Sequence, residues 1–304
     1  MNLHDDDSPP DPKMKKTRYL LIGYSRSGTT VVHLALKGHP NVCALNDELR
    51  PEPFFTKGIS TFTHGADFED EKEKGFSAIF DAITLIRANE STLANGAKTA
   101  CNSHVSANVL VGVLQKYMRD LKVVIILRKD LVAQNGSGII GKKTGIMHSW
   151  YKGFEGRKVD QIKINKWGFI GYVHDVHRMY GELSELKRTH DVLEVWYEDL
   201  LSEGNEFYYK IFRFLGLPEI EPTWLASKKV LPPPQDYIAN YSQLNYELHR
   251  YENGSLPKHV LFFARALNHI LWRIKRFYPG NPRGAGKKTD RVTISQHLKA
   301  FFKK

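Results

Sequence analysis

Residues 23–30 read GYSRSGTT. Gly23 and Gly28 fall on the two glycine positions of the phosphate loop G-x-x-x-x-G-K-[ST], and Thr30 falls on its final hydroxyl position. A glycine-bearing turn that feeds a helix offers backbone N–H groups and the positive end of a helix dipole, both suited to a phosphate. In nucleoside-triphosphate enzymes the loop lysine reaches the β- and γ-phosphates while the Ser or Thr holds magnesium. Here Thr29 stands at the lysine position, and the only cation in the loop is Arg26. That combination disfavours a triphosphate. A shorter anion needs only the amides, the hydroxyls of Ser27, Thr29 and Thr30, and the Arg26 guanidinium.

A second stretch points the same way. In many phosphate-loop enzymes another apolar strand ends in an Asp that helps to position magnesium. Here the run VVIIL is followed by Arg128, within RKDLVAQNGS. Arg128 and Ser137 on the following helix would clasp a second phosphate, away from the first. Glu198 and Asp199 in WYEDL form a rival magnesium site, or alternatively cap the next turn or helix. Two separated phosphate sites, no loop lysine and no evident metal site suggest a bisphosphorylated nucleotide.

These residues need a scaffold. RYLLIG (18–23) reads as the first strand, and TTVVHLALKG as a helix closed by Gly38. NVCALND (41–47) and NGAKTAC (95–101) read as strands, and 106–118 as a helix. LKVVIIL (121–127) is the clearest buried strand, apolar and β-branched. A helix is predicted from Asp130, a long loop over 138–165 and a helix over 166–189. DVLEVWY (191–197) reads as a strand, and NEFYYKIFRFLGLP as a helix ended by Gly216 and Pro218. Strands alternating with helices imply an α/β fold: a P-loop NTPase-like parallel sheet with helices on both faces. Ligands of such sheets bind at the carboxyl ends of the strands, where the GYSRSGTT loop lies.

The totals agree. The chain has 304 residues, a net charge of +11 and 41% hydrophobic residues, which fits one large domain with insertions. The expected organisation is a disordered tail over 1–16, one domain over 17–280 and a basic tail over 281–304. The charge calls for an anionic partner: nucleic acid, an anionic membrane or a polyphosphorylated nucleotide. Cys43 and Cys101 read as small buried core residues, with no disulfide framework. No signal peptide and no membrane-spanning run is evident, so a cytoplasmic protein is expected.

The motifs together resemble a sulfotransferase that uses 3′-phosphoadenosine-5′-phosphosulfate (PAPS), of the bacterial carbohydrate type. SRSGTT is similar to that family's 5′-phosphosulfate loop, R-[ST]-G-[ST]-[ST], and RKDLVAQNGS to its 3′-phosphate segment, R-[RK]-D-x-x-x-Q-x-x-S. WYEDL…FRFLGLP resembles the family's Y-E-D-L…FLGLP segment, and DYIANYSQL a segment of the nodulation-factor and trehalose sulfotransferases. The resemblance spans about residues 18–250, with the motifs in the right order. It implies that Arg26, Ser27, Gly28, Thr29 and Thr30 cradle the 5′-phosphosulfate. Arg128 and Ser137 would hold the 3′-phosphate, and Tyr197 would lie near the adenine. No metal is implied.

The resemblance also suggests the reacting groups. Glu48, in NDELRPEPF, is the expected base, with Glu52 behind it. Lys98, in GAKTA, would meet the sulfuryl group or a phosphate. Cytosolic relatives carry a histidine base two residues further on. Ala100 stands there in this chain, and His104 is the nearest substitute. Trp196 replaces an arginine that many relatives have before the YED segment, and PRGAGKK only faintly resembles the cytosolic loop over the 3′-phosphate. Residues 50–95 and 138–165 would wall the acceptor site, a carbohydrate or glycolipid. Phe54, Phe55, Trp150, Tyr151 and Phe154 would then stack on sugar rings, or else belong to the core. The segment 259–278 is apolar and basic, and would either rest on a membrane surface or pack on the domain. Two other readings stay open at this point: a small-molecule kinase, and a basic nucleic-acid-binding protein. The second lacks a recognisable binding module, so no nucleic-acid partner is expected.

Overall fold

The computed structural model describes residues 16–45, 89–101, 107–144, 160–222 and 232–264. Five strands form one parallel sheet: β1 (Thr17–Tyr24), β2 (Val42–Ala44), β3 (Ala94–Cys101), β4 (Lys122–Leu127) and β5 (Val192–Trp196), in the order β2-β3-β1-β4-β5. The helices that build the domain are α1 (Thr29–Gly38), α2 (Ala107–Tyr117), α3 (Leu131–Thr144), α4 (Lys166–Ser184), α5 (Tyr197–Glu203), α6 (Asn205–Leu215), α7 (Pro234–Tyr237) and α8 (Tyr241–Glu252).

The alternation of side chains along the central strands explains why helices cover both faces. Leu20 and Ile22 of β1, with Val123 and Ile125 of β4, face Leu110 and Leu114 of α2 and Met179 and Leu183 of α4. Tyr19 and Leu21, with Val124 and Ile126, face Val32 and Leu36 of α1 and Phe207, Ile211 and Phe212 of α6. Strands apolar on both sides can only be interior to such a sandwich. Truncating one of these leucines to Ala would cost about 2–5 kcal/mol.

The strand order decides where a ligand belongs. From β1 the chain runs through α1 toward the β2 edge, and from β4 it runs through α3 and α4 to β5 at the other edge. β1 and β4 are neighbours, so the crossovers diverge between their carboxyl ends. That divergence opens the crevice in which open α/β sheets bind ligands. The GYSRSGTT loop leaves β1 there, and Arg128 leaves β4 there.

Three sequence expectations are corrected. The second strand is shorter than 41–47, covering Val42–Ala44, with Leu45 still bonded to Gly96 O. The long loop predicted over 138–165 begins later, because α3 continues to Thr144. Packing explains this: Ile140 is buried with Ile162 and Phe169 in a third core cluster, and Gly136 makes room for the Ile238 side chain. Cys101 is buried as expected, whereas Cys43 is only half-buried.

Candidate active site

The loop after β1 is pre-formed by hydrogen bonds to three elements. Ser25 N donates to Cys101 O at the end of β3, and Ser27 N donates to Tyr24 O. Gln134 Nε2 of α3 donates to Ser25 O at 3.1 Å, and Arg128 Nη1 donates to Arg26 O at 2.8 Å. These bonds hold Arg26 at φ 71, a left-handed backbone that costs a non-glycine residue about 1–2 kcal/mol.

Both loop glycines are required by close approach. A Cβ on Gly23 would run into the Ser27 hydroxyl, and a Cβ on Gly28 would run into the Tyr197 ring. Gly28 also sits at φ 96. Ser27 is wholly buried, and its hydroxyl finds no partner among the described residues. Ser27 therefore shapes the turn from within. The helix that follows starts at Thr29 with no side-chain cap and no acid in its first turn. Its positive end is left to whatever anion the loop receives.

Arg26, Arg128 and Ser137 converge. Arg26 Nε donates to Ser137 Oγ at 3.0 Å, so the two expected phosphate sites adjoin through the Arg26 side chain. The Arg128 guanidinium stacks on Tyr197, 4.8 Å from its ring centre. Burial, and then the positive charge of Arg128, lowers the pKa of Arg26. Two partly buried guanidiniums set side by side disfavour each other unless an anion joins them. A phosphate bound between them would offset that repulsion. On the other side of the loop Lys98 is buried, with Nζ donating to Thr30 Oγ1 at 3.2 Å. Thr29 is buried too, while Thr30 is half-buried at the loop's rim.

Thus Arg26, Ser27, Gly28, Thr29, Thr30, Lys98, Arg128, Ser137 and Tyr197 gather at one end of the sheet. Glu48, Glu52 and His104 lie outside the described residues, as do the aromatics Phe54, Phe55, Trp150, Tyr151 and Phe154. Of 259–278, residues 259–264 are described; they are helical, with Phe262 and Phe263 exposed. The acids of WYEDL have other partners: Glu198 accepts the N–H groups of Lys129 and Asp130, and Asp199 accepts from Lys129 Nζ. Glu198 thus caps a turn earlier in the chain, the one after β4, rather than the next one, and Asp199 forms an ion pair. Sequence reasoning gave Gln134 no role, although it occupies the glutamine of the R-[RK]-D-x-x-x-Q-x-x-S pattern. Its tie to Ser25 O explains that position. Tyr180 was also missed; its hydroxyl accepts the Arg128 N–H.

Among the described residues, no helix is long and apolar enough to cross a membrane.

Comparison with known proteins gives the arrangement its family. Solved structures similar to this chain include the sulfotransferase domain of the Synechococcus PCC 7002 olefin synthase, at 16% identity and a TM-score of 0.46, covering 87% of this chain and 97% of that one. A sulfotransferase from Alicyclobacillus acidocaldarius is 14% identical with a TM-score of 0.44, covering 77% of this chain and 96% of that one. No curated protein matches the chain. The model of the sulfotransferase family matches residues 20–222, a span that begins in β1 and holds the loop, Arg128, Ser137 and Tyr197, so the chain belongs to the sulfotransferase family.

Proposed function

We propose that this sulfotransferase takes its sulfuryl group from PAPS and delivers it to a hydroxyl of a carbohydrate or glycolipid. The observation that carries the donor is the joining of Arg26, Arg128 and Ser137 beside an uncapped helix N-terminus. A nucleotide with phosphates at both its 3′ and 5′ positions supplies two anions to such a pair of adjacent sites. PAPS when bound supplies the sulfuryl group and an adenosine 3′,5′-bisphosphate leaving group.

The residues then divide the work of an in-line displacement. The amides at the start of α1, with Thr30 and Lys98, stabilise the charge that grows on the leaving 5′-phosphate. Arg128 and Ser137 hold the 3′-phosphate and so fix the donor's register, while Arg26, bonded to Ser137, belongs to the loop that cradles the 5′-phosphosulfate. The Tyr197 ring flanks the adenine. Glu48 takes the proton of the acceptor hydroxyl as its oxygen bonds to sulfur and the bond from sulfur to the phosphate oxygen breaks. Glu52 and His104 are the substitutes if Glu48 is not the base. The acceptor class rests on the resemblance of DYIANYSQL to the nodulation-factor and trehalose enzymes. The exposed Phe262 and Phe263, at the start of an apolar and basic segment, favour peripheral contact with a membrane that carries a glycolipid. A cytoplasmic location is part of this proposal.

Calorimetric titration with adenosine 3′,5′-bisphosphate tests the donor, with ATP and magnesium as control. The expected outcome is a Kd of about 1 μM or below, weakened at least about 30-fold by Arg26→Ala and by Arg128→Ala. Bisphosphate that fails to bind a folded sample overturns the reading, and ATP binding in its place points to a kinase. A screen of glycans and glycolipids for acceptor-dependent release of the bisphosphate then tests the acceptor class.

A further inference from the structure

Glu198 carries no part of the donor assignment, yet its carboxylate sits at the turn from which Arg128 projects. Oε2 accepts the N–H of Lys129 at 3.0 Å, and Oε1 accepts the N–H of Asp130 at 3.1 Å. Oε1 also lies 3.9 Å from Arg128 Nε, beyond hydrogen-bond reach. That Nε is buried and has no hydrogen-bond partner among the described residues. Glu198 follows Tyr197 in the first turn of α5, and the Tyr197 ring supports the Arg128 guanidinium. One short helix start therefore holds both the turn under Arg128 and the face on which Arg128 rests.

A carboxylate here has two opposed effects on a bound phosphate. Its charge competes with the phosphate for Arg128. Its hydrogen bonds fix the backbone of residues 129 and 130, and through them the direction of Arg128 and the start of α3, which carries Ser137. The geometry decides between them. The two backbone bonds lie within ordinary hydrogen-bond reach and go to a carboxylate, whereas the approach to Nε is beyond that reach and the carboxylate is partly open to solvent, which screens its charge. Positioning outweighs repulsion.

We propose that Glu198 is a positioning residue for recognition of the 3′-phosphate: it clamps the turn after β4 so that Arg128 and Ser137 meet that phosphate together. This inference rests on the bisphosphate reading above, and its test separates the two. The full-length chain and its Glu198→Ala and Glu198→Gln variants are titrated with adenosine 3′,5′-bisphosphate and with adenosine 5′-monophosphate. Wild-type binding of the bisphosphate is the control for the donor reading, and its absence removes both proposals at once.

Given that control, Glu198→Ala is expected to weaken the bisphosphate about tenfold while changing the monophosphate less than about twofold. Glu198→Gln keeps one acceptor oxygen for the turn and is expected to fall between. If Glu198→Ala does not fold, judged by its circular dichroism and melting, Glu198→Gln carries the test alone. Parallel weakening of both ligands makes Glu198 a general structural residue and overturns the proposal. Tighter bisphosphate binding shows that repulsion dominates and overturns it too, as does no change. Amide hydrogen exchange gives an independent readout: faster exchange at Lys129 and Asp130 with no change at Val124 and Ile125 is expected, and unchanged exchange overturns the clamp.

Discussion

Two helices point their N-termini at the same crevice, and the chain treats them in opposite ways. α1 begins after Gly28 with no side-chain cap and no acid in its first turn. α3 begins one strand away and is closed by two carboxylates: Asp130 Oδ1 accepts Ala133 N at 2.8 Å, and Glu198 takes the amides of Lys129 and Asp130. An uncapped N-terminus leaves backbone donors unsatisfied and a positive partial charge exposed. Leaving one open and closing its neighbour assigns them different tasks. On the proposed donor reading, α1 would meet an anion with its backbone, whereas α3 would meet one with side chains, Arg128 before its first residue and Ser137 two turns in. The first arrangement depends on glycine and loop geometry, the second on a guanidinium and a hydroxyl.

The sharpest break of that contrast is Gly28→Ala. Its Cβ would collide with Tyr197, and φ 96 is a conformation that alanine adopts only under strain. The open N-terminus loses its shape and Tyr197 is displaced from under Arg128. Binding of adenosine 3′,5′-bisphosphate is expected to fall by at least about 100-fold. The melting temperature is expected to fall as well. Near wild-type affinity in calorimetry refutes the claim that the loop backbone meets the ligand.

The next effect lies inside α1. His33 is buried one turn below the loop, and its Nε2 donates to Leu45 O at 2.8 Å. Burial, with Lys98 and Lys37 adding repulsion, pushes the imidazole down to about 4, although the bond to Leu45 opposes the shift. The unfolded chain takes up this proton near pH 6.5, and the folded chain only near 4. Between those values the unfolded state binds more protons, so stability rises with pH across the window and is lost as pH falls from 6.5 to 4. The full difference is on the order of 3 kcal/mol. Urea unfolding followed from pH 7 to pH 4 checks it. His33→Gln keeps an N–H for Leu45, and its curve is expected to be flatter over that range. An unaltered slope shows that other groups carry the acid sensitivity.

Much of this contrast was legible in the sequence, because the chemistry of each half is contiguous. GYSRSGTT holds a strand end, a turn and a helix start, and RKDLVAQNGS the turn and helix start that follow β4, each within about ten residues, so residue type and spacing suffice to read them. The parallel sheet was legible for a related reason: Val123–Leu127 and Tyr19–Ile22 are apolar at every position, which only two covered faces permit. What escaped was what distance in the chain conceals. Glu198 reads as a magnesium ligand or as a cap of the next turn or helix until β5 places it over Lys129 and Asp130. Gln134 reads as one more polar helix residue until its amide reaches Ser25 O. The stretch from residue 138 reads as a loop until Ile140 is seen buried with Ile162 and Phe169. In each case a tertiary partner overrides a local propensity.

The smallest expected effect tests the closed end. Asp130→Ala removes the carboxylate that caps α3 but leaves Arg128, Ser137 and the Glu198 clamp in place. Loss of an N-cap costs typically about 1 kcal/mol of stability, which calorimetric or urea unfolding would register as a modest drop. Because the α3 amides are engaged within the protein, bisphosphate affinity is expected to change less than about threefold. Asp130 Oδ2 also meets the Tyr241 hydroxyl at 3.5 Å, too long to hold α8 in place by itself. If Asp130→Ala instead tightens bisphosphate binding severalfold, the freed amides of α3 have become a second anion-binding end. The division between an open and a closed helix would then be a matter of one carboxylate rather than of the fold.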